Sequence, residues 1–314
     1  MKKITSLILV LIMVLSFLSS CGDGVFSKGK YTFTDSLGKT VTLDEKPRRV
    51  AVLFSSYVDI WIAAGGTVFA TVYESVERGF VEDGTPVVDS GAGHTAIDTE
   101  ALVALEPDFV ITTADYAVQR ETAEFMNSLG IPAASFSVES FEDYLSVLKI
   151  FTEILDTPER YELYGTAQAE KIAQIKASAV DKYEAESMLF VRAGTSKRSV
   201  KAKRAEDHFA AAMVEEFGFS NVADFKGELL DGLSLEAVVD ANPCYVFVTF
   251  MGDESAASAY VDELFSKDGW RELDAVKSGR VIYLPKELFH FKPCTRWAQA
   301  YEYVYKEMEN LNEE

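Results

Sequence analysis

The sequences DTEALVALEPDFV (residues 98–110) and SLEAVVDANPCYV (residues 234–246) follow one pattern, and that pattern predicts the fold of this chain. Each begins with a helix-capping residue, Asp98 or Ser234, and continues with a glutamate in the first turn, a short apolar helix, a proline and a buried strand. The copies lie much farther apart than the roughly 20–50 residues that separate the repeats of a solenoid. They therefore predict two similar lobes, and a cleft between lobes is where a ligand usually binds.

The beginning of the chain predicts a secretory signal rather than part of the fold. Lys2 and Lys3 precede an apolar run over residues 4–18, and the small residues before Cys21 resemble a bacterial lipobox. The apolar run is shorter than the roughly 20 residues of a membrane-spanning helix. We predict a signal peptide over residues 1–20, lipidation of Cys21 and a tether over residues 21–30. The alternative is an ordinary signal peptide with an incidental cysteine.

The other elements predict an α/β fold of two doubly wound lobes with mostly parallel central sheets, joined by one long rigid α-helix. The N-terminal lobe, residues 31–155, opens with a β-hairpin and then alternates apolar strands with helices. The bridging helix, residues 156–185, begins at a capping threonine and a proline, and its apolar side chains repeat every three or four residues. The C-terminal lobe follows over residues 186–314. A helix of about twenty residues is about 30 Å long, so we expect a stiff strut rather than a hinge.

Composition limits the partners of this protein. The 314 residues carry a formal net charge of −20, which argues against binding to nucleic acid and against adhesion to anionic lipid. The membrane is therefore expected to be a partner only through the lipid anchor. Cys244 and Cys294 remain after Cys21, and they either form one disulfide or stay as two free thiols. We favour free thiols.

Several features together resemble one known family. They are the lipobox, the hairpin, the long central helix, and the sequences RRVAV (residues 48–52), EALVALEPDFV (residues 100–110) and KPCTRW (residues 292–297). They resemble the substrate-binding proteins of bacterial ABC importers for iron complexes and vitamin B12. The resemblance implies a monomer with the class III fold, anchored by lipid to the outside of the bacterial cell membrane. It also implies a cargo, ferric siderophore or haem with cobalamin as the alternative, no cofactor of its own, and delivery to a permease dimer with its ATPase.

The same resemblance implies a role for the repeated glutamates. In this family one glutamate on each lobe docks against arginines of the permease, and the matching positions are Glu100 and Glu236. Two exposed carboxylates on separate lobes can each form a charge-assisted pair with an arginine. The alternative is that both glutamates only complement the dipole of their helices.

The ligand site is predicted at loops that follow the carboxyl ends of the strands, where open α/β sheets bind ligands. These loops contain aromatic and basic side chains, which suit an aromatic or anionic ligand through stacking and bidentate hydrogen bonds. Trp61 is assigned to the core and His208 to a structural role at a helix start. The candidate binding residues are Tyr57, Tyr73, Arg78, His94, Tyr116, Arg192, Lys201, Lys203, Arg204, Phe250, His290 and Arg296.

Two of the three histidines could distinguish haem from the other cargoes. His94 precedes the first repeat copy and His290 follows the last predicted strand, so they come from opposite lobes. Haem iron accepts histidine as an axial ligand, and the resemblance places iron ligands in loops like these. The alternative is a packed His290 and a His94 that only contacts the ligand.

Other classes of protein fit less well. The chain has no nucleophile elbow, phosphate loop or zinc-protease motif, so we expect no enzyme activity. A lipoprotein for free metal ions would need three or four converging histidines and carboxylates. A sensor or scavenger without a permease would not need the pair of docking glutamates.

Overall fold

The computed structural model describes residues 30–89, 96–184 and 186–313. The predicted signal peptide, Cys21 and nearly all of the tether lie outside the described residues, and so does His94. In the described part of the chain, every helix is too short or too polar to cross a bilayer.

The N-terminal lobe contains a hairpin and a parallel sheet. The hairpin pairs β1 (Tyr31–Thr34) with β2 (Thr40–Leu43) in antiparallel register, as predicted. The sheet has the order β4-β3-β5-β6 and is parallel throughout; its strands are β3 (Val50–Val52), β4 (Ala70–Thr71), β5 (Phe109–Thr113) and β6 (Ala133–Phe136). The helices between them are α1 (Ser55–Ala63), α2 (Tyr73–Glu77), α3 (Thr99–Ala104) and α4 (Ala117–Ser128).

Two helical segments connect the lobes. The first, α5 (Phe141–Leu155), begins with a reciprocal capping box between Ser140 and Asp143 and ends at Asp156 in the left-handed conformation. The second runs without a break from Pro158 to Tyr183: α6 (Pro158–Tyr161), a π-helical turn (Glu162–Thr166) and α7 (Ala167–Tyr183).

The C-terminal lobe has a second, mostly parallel sheet. Its order is β11-β10-β7-β8 with β9 on β7, and only β8 is antiparallel; the strands are β7 (Ser187–Ala193), β8 (Lys201–Ala202), β9 (Ser220–Asn221), β10 (Tyr245–Phe250) and β11 (Val281–Leu284). Its helices are α8 (Phe209–Glu215), α9 (Leu235–Ala241), α10 (Glu254–Ser266), α11 (Asp274–Lys277), α12 (Lys286–Phe289) and α13 (Trp297–Glu313). The predicted class, two α/β lobes with mostly parallel sheets, is confirmed.

The repeated sequences fold alike. Asp98 accepts a hydrogen bond from the Ala101 amide at 2.9 Å, and Ser234 accepts one from the Ala237 amide at 3.5 Å, so each caps its helix. Glu106 (φ 48°) and Asn242 (φ 39°) then occupy equivalent left-handed positions directly before the prolines. The two copies therefore share one helix–turn–strand geometry, one in each lobe.

The last helix joins the two lobes a second time. Helix α13 lies along α7, with ion pairs Lys171–Glu302 (2.5 Å) and Lys182–Glu309 (2.6 Å) between them. Just before α13, Thr295 donates to Asp59 of the N-terminal lobe at 2.8 Å. A single buried apolar cluster runs from the hairpin through α5 and α7 to α13. These contacts brace the junction, which agrees with a strut and not with a freely moving hinge.

Both described cysteines are free thiols. Cys294 is buried at the lobe junction, where its Sγ lies 3.4 Å from the Ser56 carbonyl oxygen. Burial among apolar groups raises the pKa of the Cys294 thiol to about 12, so it is neutral and unreactive.

Candidate ligand-binding cleft

A cavity of about 540 Å³ lies between the lobes at the carboxyl ends of both sheets. Its volume falls within the range of roughly 300–1,000 Å³ that is typical of small-molecule sites. The N-terminal lobe contributes Leu53, Phe54, Ser55, Ser56, Val72, Glu74, Glu77, Asp115, Tyr116 and Glu139. The C-terminal lobe contributes Arg192, Asp207, His208, Phe209, His290, Phe291 and Lys292.

The wall from the N-terminal lobe is acidic, but most of its carboxylates already have partners. Glu74 accepts a hydrogen bond from the Ser55 hydroxyl, and Asp115 accepts one from the Ser137 hydroxyl at 2.7 Å. Glu139 forms an ion pair with Lys292 of the opposite lobe at 2.5 Å. Much of the negative charge on this wall is therefore balanced or hydrogen-bonded before any ligand enters.

The wall from the C-terminal lobe is basic. Arg192 lies near the end of β7 and is paired in the sheet with Lys201 of β8. Burial and the positive charges of Arg192 and Lys201 lower the pKa of Lys203. Among the described residues, none of these three cations has an ion-pair partner within 4 Å. The protein thus concentrates uncompensated positive charge beside its cleft, although the whole chain is strongly acidic.

Two contacts cross the cleft and hold its walls together. One is the Lys292–Glu139 ion pair. In the other, the Arg78 guanidinium lies over the Phe291 ring at 4.3 Å and over Phe80 of its own lobe at 4.5 Å. Arg78 also donates to the Ser55 hydroxyl at 3.1 Å, which places it directly behind the cavity wall.

The cavity contains only some of the predicted binding residues. Tyr116, Arg192 and His290 line it. Arg78 touches lining residues, and Lys201 and Lys203 lie beside Arg192 without lining the cavity themselves.

Several predicted residues lie elsewhere. Tyr57 is 1% exposed, and its hydroxyl donates to the Phe136 carbonyl at 2.7 Å. The prediction that it faces the cleft was wrong, because Tyr57 lies in the first turn of α1 and packs into the core against Phe136. Trp61 is buried as predicted.

Four further candidates are also displaced from the cavity. Phe250 is buried against Tyr283, and Tyr73 is exposed at the start of α2 outside the cavity lining. Arg204 is paired with Glu206 and Asp207, whose negative charges raise its pKa. Arg296 donates to the Glu287 carbonyl at 3.0 Å. Phe250, Arg204 and Arg296 are therefore engaged in other contacts, and Tyr73 lies exposed outside the cavity lining.

The two described cleft histidines differ from each other. Burial and the positive charges of Lys286, Arg192 and Arg78 lower the pKa of His290 to about 4, and its buried Nδ1 atom has no hydrogen-bond partner within the described part of the chain. His208 caps α8, as expected of a residue at a helix start, but it also lines the cavity. The sequence did not predict this second position.

Other lining residues were missed for an identifiable reason. Ser55 and Asp115 follow β3 and β5 and line the cavity, but the candidates named from the sequence were aromatic and basic side chains. Glu139 follows β6 in the same way as Asp115 follows β5. Position directly after a parallel strand therefore indicates these lining residues, whereas residue type does not.

The glutamates of the repeats lie outside the cavity. Glu100 is exposed in the first turn of α3, and Glu236 is exposed in the first turn of α9. Within residues 30–89, 96–184 and 186–313, no group of three or more histidine, cysteine or acidic side chains is placed to hold a metal ion.

Comparisons with known proteins agree with this architecture. A sequence model of the family described as "Periplasmic binding protein" matches residues 50–288. A search of curated proteins finds no match.

Solved structures share the fold at low identity. The periplasmic haem-binding protein RhuT from Roseiflexus sp. RS-1 is 19% identical, with a TM-score of 0.66 over 84% of this chain and 98% of that one. The catecholate-siderophore binding protein VctP from Vibrio cholerae is 18% identical, with a TM-score of 0.67 over 90% and 99%. The vitamin B12 binding protein BtuF of Vibrio cholerae is 16% identical, with a TM-score of 0.66 over 86% and 99%.

Proposed function

This chain belongs to the periplasmic binding protein family, and we propose that it is the substrate-binding lipoprotein of an ABC importer for an iron complex. The family is one of extracytoplasmic binding proteins rather than enzymes. In the proposed role, a ferric siderophore or haem enters the cavity between the lobes and is passed on without chemical change. Lipid on Cys21 would hold the monomer at the outer face of the cell membrane.

The observation that carries this proposal is the unpaired positive charge at the inter-lobe cavity. Arg192 lines the cavity, and Lys201 and Lys203 lie beside it; in the described residues none of the three has an ion-pair partner within 4 Å. Ferric siderophores and haem both present anionic oxygens, and arginine binds such groups through paired, charge-assisted hydrogen bonds. Tyr116, tilted against Phe54 at 6.1 Å, offers an aromatic surface on the other wall.

His290 supports haem as one of the two candidate cargoes. Its ring lines the cavity, and its buried Nδ1 atom has no hydrogen-bond partner among the residues that the structure describes. The lowered pKa keeps the imidazole neutral at pH 7, which is the form that binds iron. Proteins of the same fold include a haem-binding protein and a catecholate-siderophore binding protein, so the fold accommodates either cargo in other proteins.

A ligand panel tests the class of cargo. The mature protein is titrated with ferric enterobactin, ferrichrome, ferric citrate, haemin and cyanocobalamin, and quenching of tryptophan fluorescence is recorded. We expect submicromolar Kd for at least one iron complex, and for haemin a shifted Soret band that His290→Ala removes. Tight binding of cyanocobalamin alone would replace the iron complex with the corrinoid alternative, and binding of none would overturn the proposal.

We propose that Glu100 and Glu236 dock the two lobes on the permease. Both side chains are exposed, each follows a capped helix start, and they occupy equivalent positions in the two lobes. An exposed carboxylate at such a position can pair with an arginine of a partner while it also complements the helix dipole. One docking carboxylate on each lobe would explain why the same sequence pattern occurs in both lobes.

Replacing both carboxylates with amides tests whether Glu100 and Glu236 dock on the permease or only complement the dipoles of their helices. We expect Glu100→Gln combined with Glu236→Gln to abolish uptake of the bound complex by cells, while Kd and melting temperature stay near those of the wild type. Glu159→Gln is the matched control, because Glu159 is also an exposed first-turn glutamate and should leave uptake unchanged. Normal uptake by the double variant would rule out docking through these residues.

A further inference from the structure

We infer that His208 is a hydrogen-bond donor for an oxygen atom of the bound ligand and that it does not ligate iron. The inference rests on the proposed function, since it needs a ligand in the inter-lobe cavity. His208 lines that cavity beside Arg192, His290 and Lys292, at the point where α8 begins. Its role follows from which of its two ring nitrogens is already engaged.

The cap fixes the tautomer of His208. The Nδ1 atom accepts a hydrogen bond from the Ala210 amide at 3.2 Å, so Nδ1 must carry a lone pair and not a proton. In a neutral imidazole the single proton is then on Nε2. The Nε2–H group has no hydrogen-bond partner among the described residues, and it is the polar group that the ring can offer to a ligand.

The surroundings fix both the position and the charge of the ring. Phe209 stacks on it at 5.1 Å with an interplanar angle of 21°, and Phe190 lies 5.4 Å away on the β7 side. Burial, together with positive charge on Arg192, Lys292 and Lys203 and the nearby His290, lowers the pKa of His208 to about 3. The ring therefore stays neutral at physiological pH, and its Nε2–H group is an uncharged hydrogen-bond donor.

Metal ligation would require the opposite tautomer. Iron binds an imidazole nitrogen through its lone pair, so ligation by Nε2 would move the proton to Nδ1. That proton would then face the Ala210 amide proton, and the helix would lose its cap. A carboxylate, catecholate or hydroxamate oxygen has no such conflict. His208 therefore favours an oxygen acceptor. His290, whose Nδ1 makes no hydrogen bond to the described residues, can either ligate iron or hydrogen-bond to an oxygen.

Two substitutions separate the donor from the cap. In His208→Asn, the amide oxygen can take over the capping position of Nδ1, but no group reaches the position of Nε2–H. In His208→Gln, the amide nitrogen can reach the position of Nε2–H, but the cap is lost. We expect His208→Asn to weaken binding of the tightest complex of the five-member panel about tenfold, as loss of one hydrogen bond to a charged group predicts, and to melt higher than His208→Gln, because both variants lose the ring stacking on Phe209 but only His208→Asn keeps the cap. We expect His208→Gln to bind within about threefold of the wild type and to melt several degrees lower.

The tautomer can be measured without any ligand. In the ¹⁵N-labelled free protein at pH 7, the side-chain nitrogens of His208 should give the pattern of a neutral ring protonated at Nε2, unchanged down to about pH 5. Protonation at Nδ1, or a charged ring at pH 7, would overturn the inference.

The binding data distinguish failure of this inference from failure of the proposed function. If the wild type binds none of the panel, the proposed function fails. If the wild type binds a complex and His208→Asn binds it equally well, only the inference about His208 fails. A Soret band of the haemin complex that shifts in His208→Asn in the same way as in His290→Ala would show ligation and would also overturn it.

Discussion

At the scale of single residues, the cleft keeps its histidines neutral by surrounding them with positive charge. His208 faces Arg192, Lys292, Lys203 and His290, while His290 faces Lys286, Arg192 and Arg78. A proton on either ring would be partly desolvated and repelled by these cations, so both pKa values lie well below the usual value of 6.5. The same cations that attract an anionic ligand thus prevent the histidines from carrying charge.

This arrangement predicts how stability depends on pH in the ligand-free protein. Between pH 6.5 and about 4 the unfolded chain binds protons on these histidines and the folded protein does not, so stability is full above pH 6.5 and falls as pH decreases. The slope from His208 approaches about 1.4 kcal/mol per pH unit in this window, and the more exposed His290 contributes less. Urea unfolding at pH 7, 6, 5 and 4.5 measures the slope, and His208→Asn should reduce it. If the unfolding free energy of His208→Asn depends on pH as steeply as that of the wild type, His208 is not neutral in the folded protein as described.

Residue positions in the cleft were partly predictable from the sequence. The rule that ligands lie after the carboxyl ends of parallel strands pointed to Tyr116, Arg192 and His290, which line the cavity. It failed for Tyr57, because the direction of a side chain in the first turn of a helix depends on where the helix starts. It also could not indicate that His208 would combine a cap with a place in the cavity wall, since its contacts with Phe190 and the cleft come from tertiary packing.

At the scale of elements, the end of α1 shows why a glycine pair stops this helix. Gly65 has φ +94°, a left-handed conformation that favours glycine, and the Gly66 amide donates back to the Trp61 carbonyl at 2.9 Å. A Cβ atom on Gly66 would lie 2.2 Å from Nε1 of Trp61, which is 1% exposed. Nε1 also donates to the Thr67 carbonyl at 3.0 Å, so the indole cannot move away freely.

We expect Gly66→Ala to destabilise the protein by at least about 1–3 kcal/mol, because the added methyl group overlaps a fixed indole in the core. Urea unfolding of the purified variant gives the change in free energy of unfolding. Gly232→Ala is the control, since a Cβ there meets nothing within 4 Å and its φ needs no glycine. Equal losses of stability in the two variants would contradict an overlap with Trp61.

The bridging helix shows what sequence periodicity could and could not predict. The cap and proline start, together with the apolar spacing, predict one long helix, and the chain is helical from Pro158 to Tyr183. The π-helical turn at Glu162–Thr166 was not predicted. It contains Gly165, whose missing side chain lets the turn pack closely on Leu145 and Leu148 of α5, and such a contact between helices has no signature in local sequence.

At the scale of the whole molecule, the two lobes form one braced body around the cavity. Helix α13 returns along α7, and the buried apolar cluster continues from the hairpin to α13. The sequence repeat predicted the pair of lobes, but nothing in it indicated that the last helix would reinforce the bridge. A rigid frame of this kind would hold Glu100 and Glu236 at a fixed spacing, as the docking proposed for them requires.

Charge is distributed unevenly over the same body. The chain carries −20, yet Arg192, Lys201 and Lys203 place positive charge at the cavity. An acidic exterior repels anions in general, while a basic wall inside a cleft raises the local potential for those that enter. This distribution of charge is what capture of an anionic complex in the inter-lobe cavity, as proposed above, would require.

The most direct test of ligand capture in the cavity compares the Kd of one iron complex for three proteins. The tightest iron complex of the panel is titrated into the wild type, Arg192→Gln and Arg271→Gln; Arg271 is an exposed arginine of the same lobe, paired with Asp268 outside the cavity. We predict that Arg192→Gln weakens binding at least about tenfold, because a charged group of the ligand loses its partner in a desolvated site, and that Arg271→Gln binds like the wild type. Equal Kd values for all three proteins would contradict capture of an anionic iron complex in the inter-lobe cavity.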